Sequence, residues 1–97
     1  MPGYISLMKY TQQGLASIKD SPQRIKEAKA AAEKMGIQVV GVWVTMGQYD
    51  LVAVVDAPND EVAAIFQLAL ASGGNVTTQT LRALSEDEFA KVVDKLP

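Results

Sequence analysis

The 97-residue sequence predicts an α+β fold with one four-stranded antiparallel sheet, and two observations carry this prediction. Segments rich in β-branched and aromatic residues alternate with segments whose apolar residues recur every three or four positions. Glycine and proline stand at the boundaries, and no repeat or low-complexity stretch divides the chain. The predicted order is βαββαβ followed by a C-terminal helix. This order is ferredoxin-like, so we expect one domain over residues 1–97 with both long helices on one sheet face.

The first half of the chain carries one strand and one long helix. The strand is expected at residues 4–10, and a short helical segment with Leu15 and Ile18 on one face follows it. Ser21-Pro22 predicts a helix start, with Ser as the N-cap and Pro as the first helical residue. The buried face of that helix is expected to carry Ile25, Ala28, Ala32 and Met35. Gly36 is the expected residue just beyond its end.

The second half continues with a hairpin, a helix, a strand and a last helix. The expected positions are strands at 37–46 and 49–57, a helix opening at 58–61 and ending at 72–74, and a strand at 75–84. Gly47 and Gln48 turn the hairpin. Asn59 or Asp60 caps the second helix, and Ser85 with Glu88 forms a capping box for the last one. The last helix should carry Phe89, Val92, Val93 and Leu96 on one face.

The composition excludes several kinds of site. The chain contains neither cysteine nor histidine, which excludes disulfides, zinc–thiolate sites, iron–sulfur clusters, thiol catalysis and the Ser-His-Asp triad. No metal-ligand pattern or phosphate-binding loop is present, so we expect no cofactor. A net charge of −2 with mixed signs argues against a nucleic-acid partner. The sequence shows no signal peptide, and its longest apolar run is about half a membrane span, so we expect no membrane contact and a cytoplasmic location.

Both faces of the predicted sheet are apolar, which predicts assembly. Alternation along the second strand places Val40, Val42, Val44 and Met46 on one face and Val39, Gly41, Trp43 and Thr45 on the other. The third strand likewise divides into Val52 and Val54 against Leu51, Ala53 and Val55. The second long helix is also apolar nearly all round, with Gln67 as its one polar residue between 62 and 71. We therefore expect a homodimer that packs sheet on sheet, or a higher homo-oligomer.

Five segments resemble the GYD family in the family's order: 10–14 (YTQQG), 18–24 (IKDSPQR), 46–52 (MGQYDLV), 56–61 (DAPNDE) and 74–83 (GNVTTQTLRA). The resemblance covers nearly the whole chain and implies a fold of the dimeric α+β barrel type. That group also contains ligand-sensing regulatory domains and small cofactor-independent monooxygenases. Trp43 stands where a tyrosine is common, and Thr77 stands where a basic residue is usual. The second departure weakens any phosphate-type site.

Two neighbours at the hairpin, Tyr49 and Asp50, are the first candidates for a binding site. Asp50 either caps backbone N–H groups of the turn or acts as an acceptor or base beside a hydrogen bond from Tyr49. Strand alternation directs Asp50 to the side of Val52 and Tyr49 to the side of Leu51. We therefore expect no shared catalytic role for the two side chains.

The other candidates are one cation and the remaining aromatic side chains. Arg82 lies on a strand with Thr78 and Thr80. It either belongs to the solvated face of an edge strand, or pairs with Asp50 or Asp56, or forms an anion site. The aromatic candidates, expected on the sheet face away from the helices, are Tyr4, Tyr10, Trp43 and Tyr49. They either pack at an interface or line a pocket for a planar organic ligand.

Function is predicted only in outline. The favoured interpretation is a homo-oligomeric domain that binds a small organic molecule or serves as a scaffold, without catalysis. The alternative is a cofactor-independent, small monooxygenase-like enzyme that acts on an activated aromatic substrate, with Asp50 or a tyrosine as base. A third interpretation is an interaction module that assembles into rings.

Overall fold

The strands and helices occur in the predicted order in the computed structural model, which describes residues 1–97. They are β1 (Gly3–Tyr10), α1 (Gln12–Ala16), a 3₁₀ turn (Ile18–Asp20), α2 (Ser21–Lys34), β2 (Gln38–Val44), β3 (Leu51–Asp56), α3 (Asp60–Ser72), β4 (Val76–Ala83) and α4 (Glu86–Asp94). The sheet order is β2-β3-β1-β4, and every neighbouring pair is antiparallel. This confirms the α+β fold with the ferredoxin-like order. In the single chain the sheet stays open, with β2 and β4 at its edges.

Local hydrogen bonds fix the helix ends that the sequence predicts. The Asn59 side chain accepts a hydrogen bond from the Val62 N–H at 2.9 Å and so caps α3. Ser85 and Glu88 form the predicted capping box at the start of α4. Gly36 follows α2 with a φ of 79°, a conformation that glycine adopts without steric cost. These boundaries are therefore set by side chains a few residues apart.

Ser21 does not cap α2, contrary to the prediction. The 3₁₀ turn runs directly into the helix, so Asp20 takes the cap position and Ser21 becomes the first helical residue. The Ser21 hydroxyl lies 2.5 Å from the Tyr10 hydroxyl instead. The missing extended residue before α2 explains the difference, because an N-capping side chain needs extended backbone at its own position.

A β-bulge in β2 changes the predicted faces of that strand. Val39 pairs with Val55 and Gly41 pairs with Val54, which leaves Val40 as an extra residue without a partner. Val39 therefore lies on the same face as Val42, whereas simple alternation had placed them on opposite faces. After the bulge, Trp43 lies opposite Val52.

One face of the sheet packs under the helices. Its side chains, which include Tyr4 and Val55, pack against α2 and α3 in a core cluster with Ala32, Ala63 and Phe66. The opposite face, here called the open face, carries Ile5, Leu7, Trp43, Val52, Val54 and Leu81, joined by cross-strand pairs. Trp43 is 53% exposed there. Both faces of the sheet are thus apolar.

The chain is extended for its size, with a longest dimension of 52 Å. Its radius of gyration is 14.7 Å, whereas a compact domain of this length has about 12.5 Å. Only 12 of 97 residues are buried, so much of the apolar surface stays exposed. None of the helices has the length and hydropathy that crossing a membrane requires.

Candidate functional site

The structure distributes the predicted site residues over four places. Trp43 and Tyr49 lie on the open face, Asp50 at the hairpin corner, Tyr10 beneath α2, and Tyr4 with Arg82 near the β4 edge. The prediction that all four aromatic side chains share the face away from the helices is therefore wrong for Tyr4 and Tyr10. Alternation predicts two sets of side chains, but with both sets apolar it cannot tell which set the helices cover.

Trp43 and Tyr49 give the open face two aromatic side chains with polar tips. The Trp43 indole lies across Gly41, and a Cβ added at Gly41 would overlap its ring. The Tyr49 hydroxyl donates a hydrogen bond to Gln79 Oε1 at 2.8 Å, and the Lys9 ammonium lies 5.4 Å from the Tyr49 ring centroid. Large aromatic side chains of this kind are the preferred anchors of protein interfaces.

Tyr49 lies on the side of Val52, not on the side of Leu51 that alternation predicts. The chain between β2 and β3 leaves strand geometry over residues 45–50, so the period of two does not extend back to Tyr49. The Thr45 side chain closes this longer turn, donating a hydrogen bond to the Tyr49 carbonyl at 2.6 Å. The turn therefore sets the direction of the Tyr49 ring.

Asp50 holds the corner where the hairpin meets the end of β1. Its carboxylate accepts a hydrogen bond from the Tyr10 N–H at 2.9 Å, and its own N–H donates to the Met8 carbonyl at 2.9 Å. The Thr45 N–H donates to the Asp50 carbonyl at 2.8 Å. Asp50 and Tyr49 thus bond to different partners. The carboxylate serves as a backbone acceptor, as the capping alternative expects, but for the last residue of β1 and not for an N–H group of the turn.

Tyr4 and Arg82 belong to a polar cluster beside the β4 edge. The buried Tyr4 hydroxyl donates a hydrogen bond to Asp60 Oδ1, and the Arg82 guanidinium carbon lies 5.6 Å from the Tyr4 ring centroid. Arg82 Nη2 lies 3.6 Å from Glu88 Oε2. Among the alternatives, pairing with Asp50 or Asp56 is wrong, because the α4 capping box places the Glu88 carboxylate beside Arg82. Arg82 is exposed on the edge strand β4, as the edge-strand alternative expects.

Two pKa values in this cluster depart from their ordinary values. The hydrogen bond to Asp60, burial and the Asp60 charge raise the pKa of the Tyr4 phenol, while the Arg82 charge opposes them. The Ser85 backbone N–H is the main cause that lowers the pKa of Glu88, and Arg82 adds to it. The first shift favours the neutral Tyr4 phenol and the second favours the ionised Glu88 carboxylate, and these are the forms that make the hydrogen bonds described above.

Gln67 is a further polar residue at this edge, and the sequence indicated it only as an exception in an apolar helix. A cleft of about 430 Å³ lies between α3 and β4, lined by Gln67 and Leu68 among others. Gln67 Nε2 donates a hydrogen bond to the buried Ser6 hydroxyl at 2.6 Å, and Gln67 Oε1 has no partner. The polar residue of α3 thus turns inward while Leu68 stays 71% exposed.

A second concave region, the helix–sheet cavity, lies between α2, α3 and the sheet. It has a volume of about 140 Å³ and is lined by 16 residues, 12 of them hydrophobic. Tyr10 is the one predicted site residue in this lining. The other polar lining residues are Ser21, Arg24, Lys29 and Asn75. Ser21, Arg24 and Lys29 lie on α2, and the fold brings Asn75, which precedes β4, to the same cavity.

The model of the GYD domain family matches residues 4–93 of this chain. The chain belongs to the GYD family. A relative of this GYD domain in Thermus thermophilus is named a glutamine synthetase and cystathionine beta-lyase binding protein, and 39% of 85 aligned residues are identical. The alignment covers 87% of this chain and 90% of the relative. No solved structure matches the chain significantly.

Two of the GYD-like segments, residues 10–14 and 74–83, meet in the structure. The Thr11 N–H donates to the Asn75 carbonyl at 3.0 Å, and the Thr11 hydroxyl donates to the Gly74 carbonyl at 2.5 Å. Gln13 Nε2 adds a hydrogen bond to the Gly73 carbonyl at 3.2 Å. These bonds hold α1 of the GYD domain against the start of β4, beside Tyr10 and Asn75 in the lining of the helix–sheet cavity.

Proposed function

We propose that this GYD domain is a protein-binding module without catalysis of its own. It assembles with copies of itself through the open face and binds an enzyme through apolar surface that remains. One observation carries the proposal. The chain exposes 6569 Å², whereas a monomeric protein of 10.4 kDa exposes about 5,400 Å². The excess of about 1,200 Å² is larger than the roughly 800 Å² that one partner contributes to a standard interface.

Apolar side chains account for much of this exposed surface. Fifteen large apolar side chains are exposed, whereas the buried core contains nine apolar residues. The exposed ones include Trp43 and Leu81 of the open face, the outer side of α3 and the apolar side of α4. An apolar surface of this extent on a soluble domain usually marks an interaction site.

The open face suits a second copy of the chain. It is apolar at Leu7, Val52 and Trp43, and Lys9 and Tyr49 form a polar rim. The same patch on two copies can pack across a two-fold axis, burying both without an unpaired charge at the centre. Such a pair of sheets is the dimeric arrangement that the sequence resemblance implies.

The outer side of α3 and the apolar side of α4 suit a different partner. Ile65 and Leu68 face outward on α3, while Phe89 and Val92 stay exposed on α4. The Thermus thermophilus relative is named for binding two enzymes and is similar over nearly the whole chain. We therefore infer that this chain binds an enzyme of the same kind, with α4 as the principal contact.

Native mass spectrometry and light scattering test the self-assembly. At micromolar concentration we expect the wild type to have the mass of a dimer or a multiple of it. Trp43→Asp places a charge on the open face and should yield the 10.4 kDa monomer. Leu15→Asp is the matched control, because Leu15 on α1 is 56% exposed and lies outside the open face. A monomeric wild type, or an assembled Trp43→Asp variant, would contradict the self-assembly.

Biolayer interferometry tests the partner. The immobilised GYD domain is exposed to glutamine synthetase and to cystathionine beta-lyase from the same organism, and we expect a micromolar or tighter Kd for at least one. Phe89→Asp should weaken binding by about tenfold or more. Ala90 is exposed next to Phe89 but lies outside the apolar side of α4. Ala90→Asp should therefore change the Kd by about twofold or less. Absence of binding to both enzymes would refute the enzyme partner and leave the self-assembly standing.

A further inference from the structure

We propose that the helix–sheet cavity binds a small organic monocarboxylate, with the carboxylate at the α1 end and the apolar part beneath α2 and α3. The cavity combines a largely hydrophobic lining with a few polar side chains, of which Tyr10 and Ser21 lie together near α1. A cavity of this composition orients a ligand through a few polar contacts and holds the rest by apolar burial.

The polar end is assembled where β1, α2 and β4 come together. The Tyr10 and Ser21 hydroxyls lie 2.5 Å apart and share a hydrogen bond. One of the two hydroxyls donates in that bond, so the hydrogen of the other is free to donate to a ligand. Asn75 immediately precedes β4. It lies beside the end of β1, because Tyr10 pairs with Val76, the first residue of β4. Arg24 comes one turn after Ser21 along α2 and reaches the same region, since its guanidinium donates to the Ser17 carbonyl at 3.1 Å.

The charges of the lining favour an anion. Two lining residues, Arg24 and Lys29, are cationic, and none of the 16 is acidic. The partners of Arg24 are neutral: the Ser17 carbonyl and hydroxyl at 3.1 Å each, and the Gly14 carbonyl at 3.5 Å. The one ion pair of the chain is Arg82 with Glu88, so neither cation of the cavity has a carboxylate partner. A ligand carboxylate would supply that partner through a charge-assisted hydrogen bond.

The volume sets the size of the ligand. The cavity holds about 140 Å³, and an apolar cavity of about 150 Å³ accommodates one benzene molecule. The apolar part of the ligand should therefore have about six carbon atoms. A benzoate or a branched short-chain carboxylate meets both the size and the charge.

Titration by NMR tests this site, with three probes of similar shape and different charge. Benzoate should shift amide signals at Tyr10, Ser21 and Asn75 with a Kd of about 1 mM or tighter. Benzamide and benzylamine should bind about tenfold more weakly or worse, because the first lacks the charge and the second reverses it. Equal binding of benzoate and benzamide would overturn the carboxylate preference.

Two variants separate the charge from the space. Arg24→Gln keeps a donor for the Ser17 carbonyl and should reduce benzoate affinity about tenfold or more. Ala28→Leu fills the cavity without changing charge and should abolish binding. If Arg24→Gln does not fold, Lys29→Gln serves as the second charge variant, with a smaller loss expected. Arg82→Gln, at the other edge of the sheet, should bind benzoate as the wild type does.

No benzoate-dependent shift up to about 10 mM, or shifts that persist in Ala28→Leu, would overturn the proposal. The cavity faces α2 and α3, whereas self-assembly concerns the open face on the other side of the sheet. The carboxylate site can therefore fail while the protein-binding role stands, and the reverse also holds.

Discussion

Gly14 shows how a single residue determines the packing of α1 on the sheet. It is buried, and a Cβ built on it would overlap the Asn75 carbonyl and approach the Tyr10 ring. The close approach lets the Thr11 N–H bond to that same carbonyl at 3.0 Å. The absence of a side chain at Gly14 therefore lets two of the GYD-like segments meet.

Substitution of Gly14 by alanine should destabilise the fold. The methyl group must displace backbone at Asn75, and such overpacking costs about 1–3 kcal/mol. We expect a loss of about 2 kcal/mol in the free energy of unfolding, measured by urea denaturation with Trp43 fluorescence. Gly73→Ala is the matched control, since its Cβ would meet the Leu70 carbonyl at an ordinary 3.4 Å. Equal stabilities of the two variants would contradict this account of Gly14.

The residue scale also shows what the sequence could and could not predict. The acceptor role of Asp50 could be predicted from its position at a turn, but its partner could not, because the Tyr10 N–H is 40 residues away along the chain. The partner of Arg82 depends on where α4 lies relative to β4. That arrangement involves packing between elements, so the residue pattern alone did not indicate Glu88.

At the scale of elements, α4 is attached to the domain mainly through its first turn. The Glu88 carboxylate accepts a hydrogen bond from the Ser85 N–H at 3.2 Å and lies beside Arg82. The apolar side of α4 stays exposed, so packing in the single chain contributes little to its helicity. The capping box and the ion pair are therefore the interactions that hold the start of this helix.

Acidification should loosen α4 before the sheet. The pKa of Glu88 is lowered from its ordinary 4.5 in the folded state. The stabilisation is therefore complete above the unfolded-state pKa and is lost as the pH falls through the lower folded-state pKa. NMR shifts of α4 from about pH 6 to about pH 3 should show fraying of its first turn.

Two substitutions identify the group responsible for this fraying. Glu88→Gln keeps an acceptor for the Ser85 N–H but does not titrate, so most of the pH dependence of α4 should disappear. Glu86 lies in the same turn but takes no part in the capping box. The pH dependence of α4 should therefore persist in the Glu86→Gln variant. If Glu88→Gln retains the wild-type pH profile, Glu88 is not the group that holds α4.

The element scale is where the sequence was most informative, for a physical reason. Helix caps such as Asn59 and Ser85 satisfy backbone groups two or three residues away, so short sequence patterns contain the whole interaction. The bulge at Val40 is different, because it exists only relative to the register of β3. The assignment of Tyr4 and Tyr10 to a face failed similarly, since both faces are apolar.

At the scale of the whole molecule, the buried core is small compared with the exposed apolar surface. The buried core contains nine apolar residues, whereas more large apolar side chains than that lie exposed. The helix–sheet cavity leaves further room between the helices and the sheet, which the sequence could not predict because it depends on the spacing of α2 and α3. A protomer with these properties should gain much of its stability from its partners.

Thermal stability should therefore depend on protein concentration. For a dimer that unfolds as it dissociates, a tenfold increase in concentration should raise the Tm by about 3 °C. The Trp43→Asp variant should show a lower Tm that does not change with concentration. Differential scanning fluorimetry over a hundredfold range of concentration measures both. A wild-type Tm that stays constant across that range would contradict the coupling.

The bulge at Val40 also determines how such an assembly can grow. β2 is an edge strand, and a regular edge strand can add strands from other chains and extend into fibrils. The unpaired Val40 interrupts the regular spacing of backbone donors and acceptors along that edge. It thereby disfavours open-ended strand addition at the edge next to the apolar open face. The proposed packing of two open faces is closed by its two-fold symmetry, and the bulge acts against the separate, open-ended route of strand addition at the β2 edge.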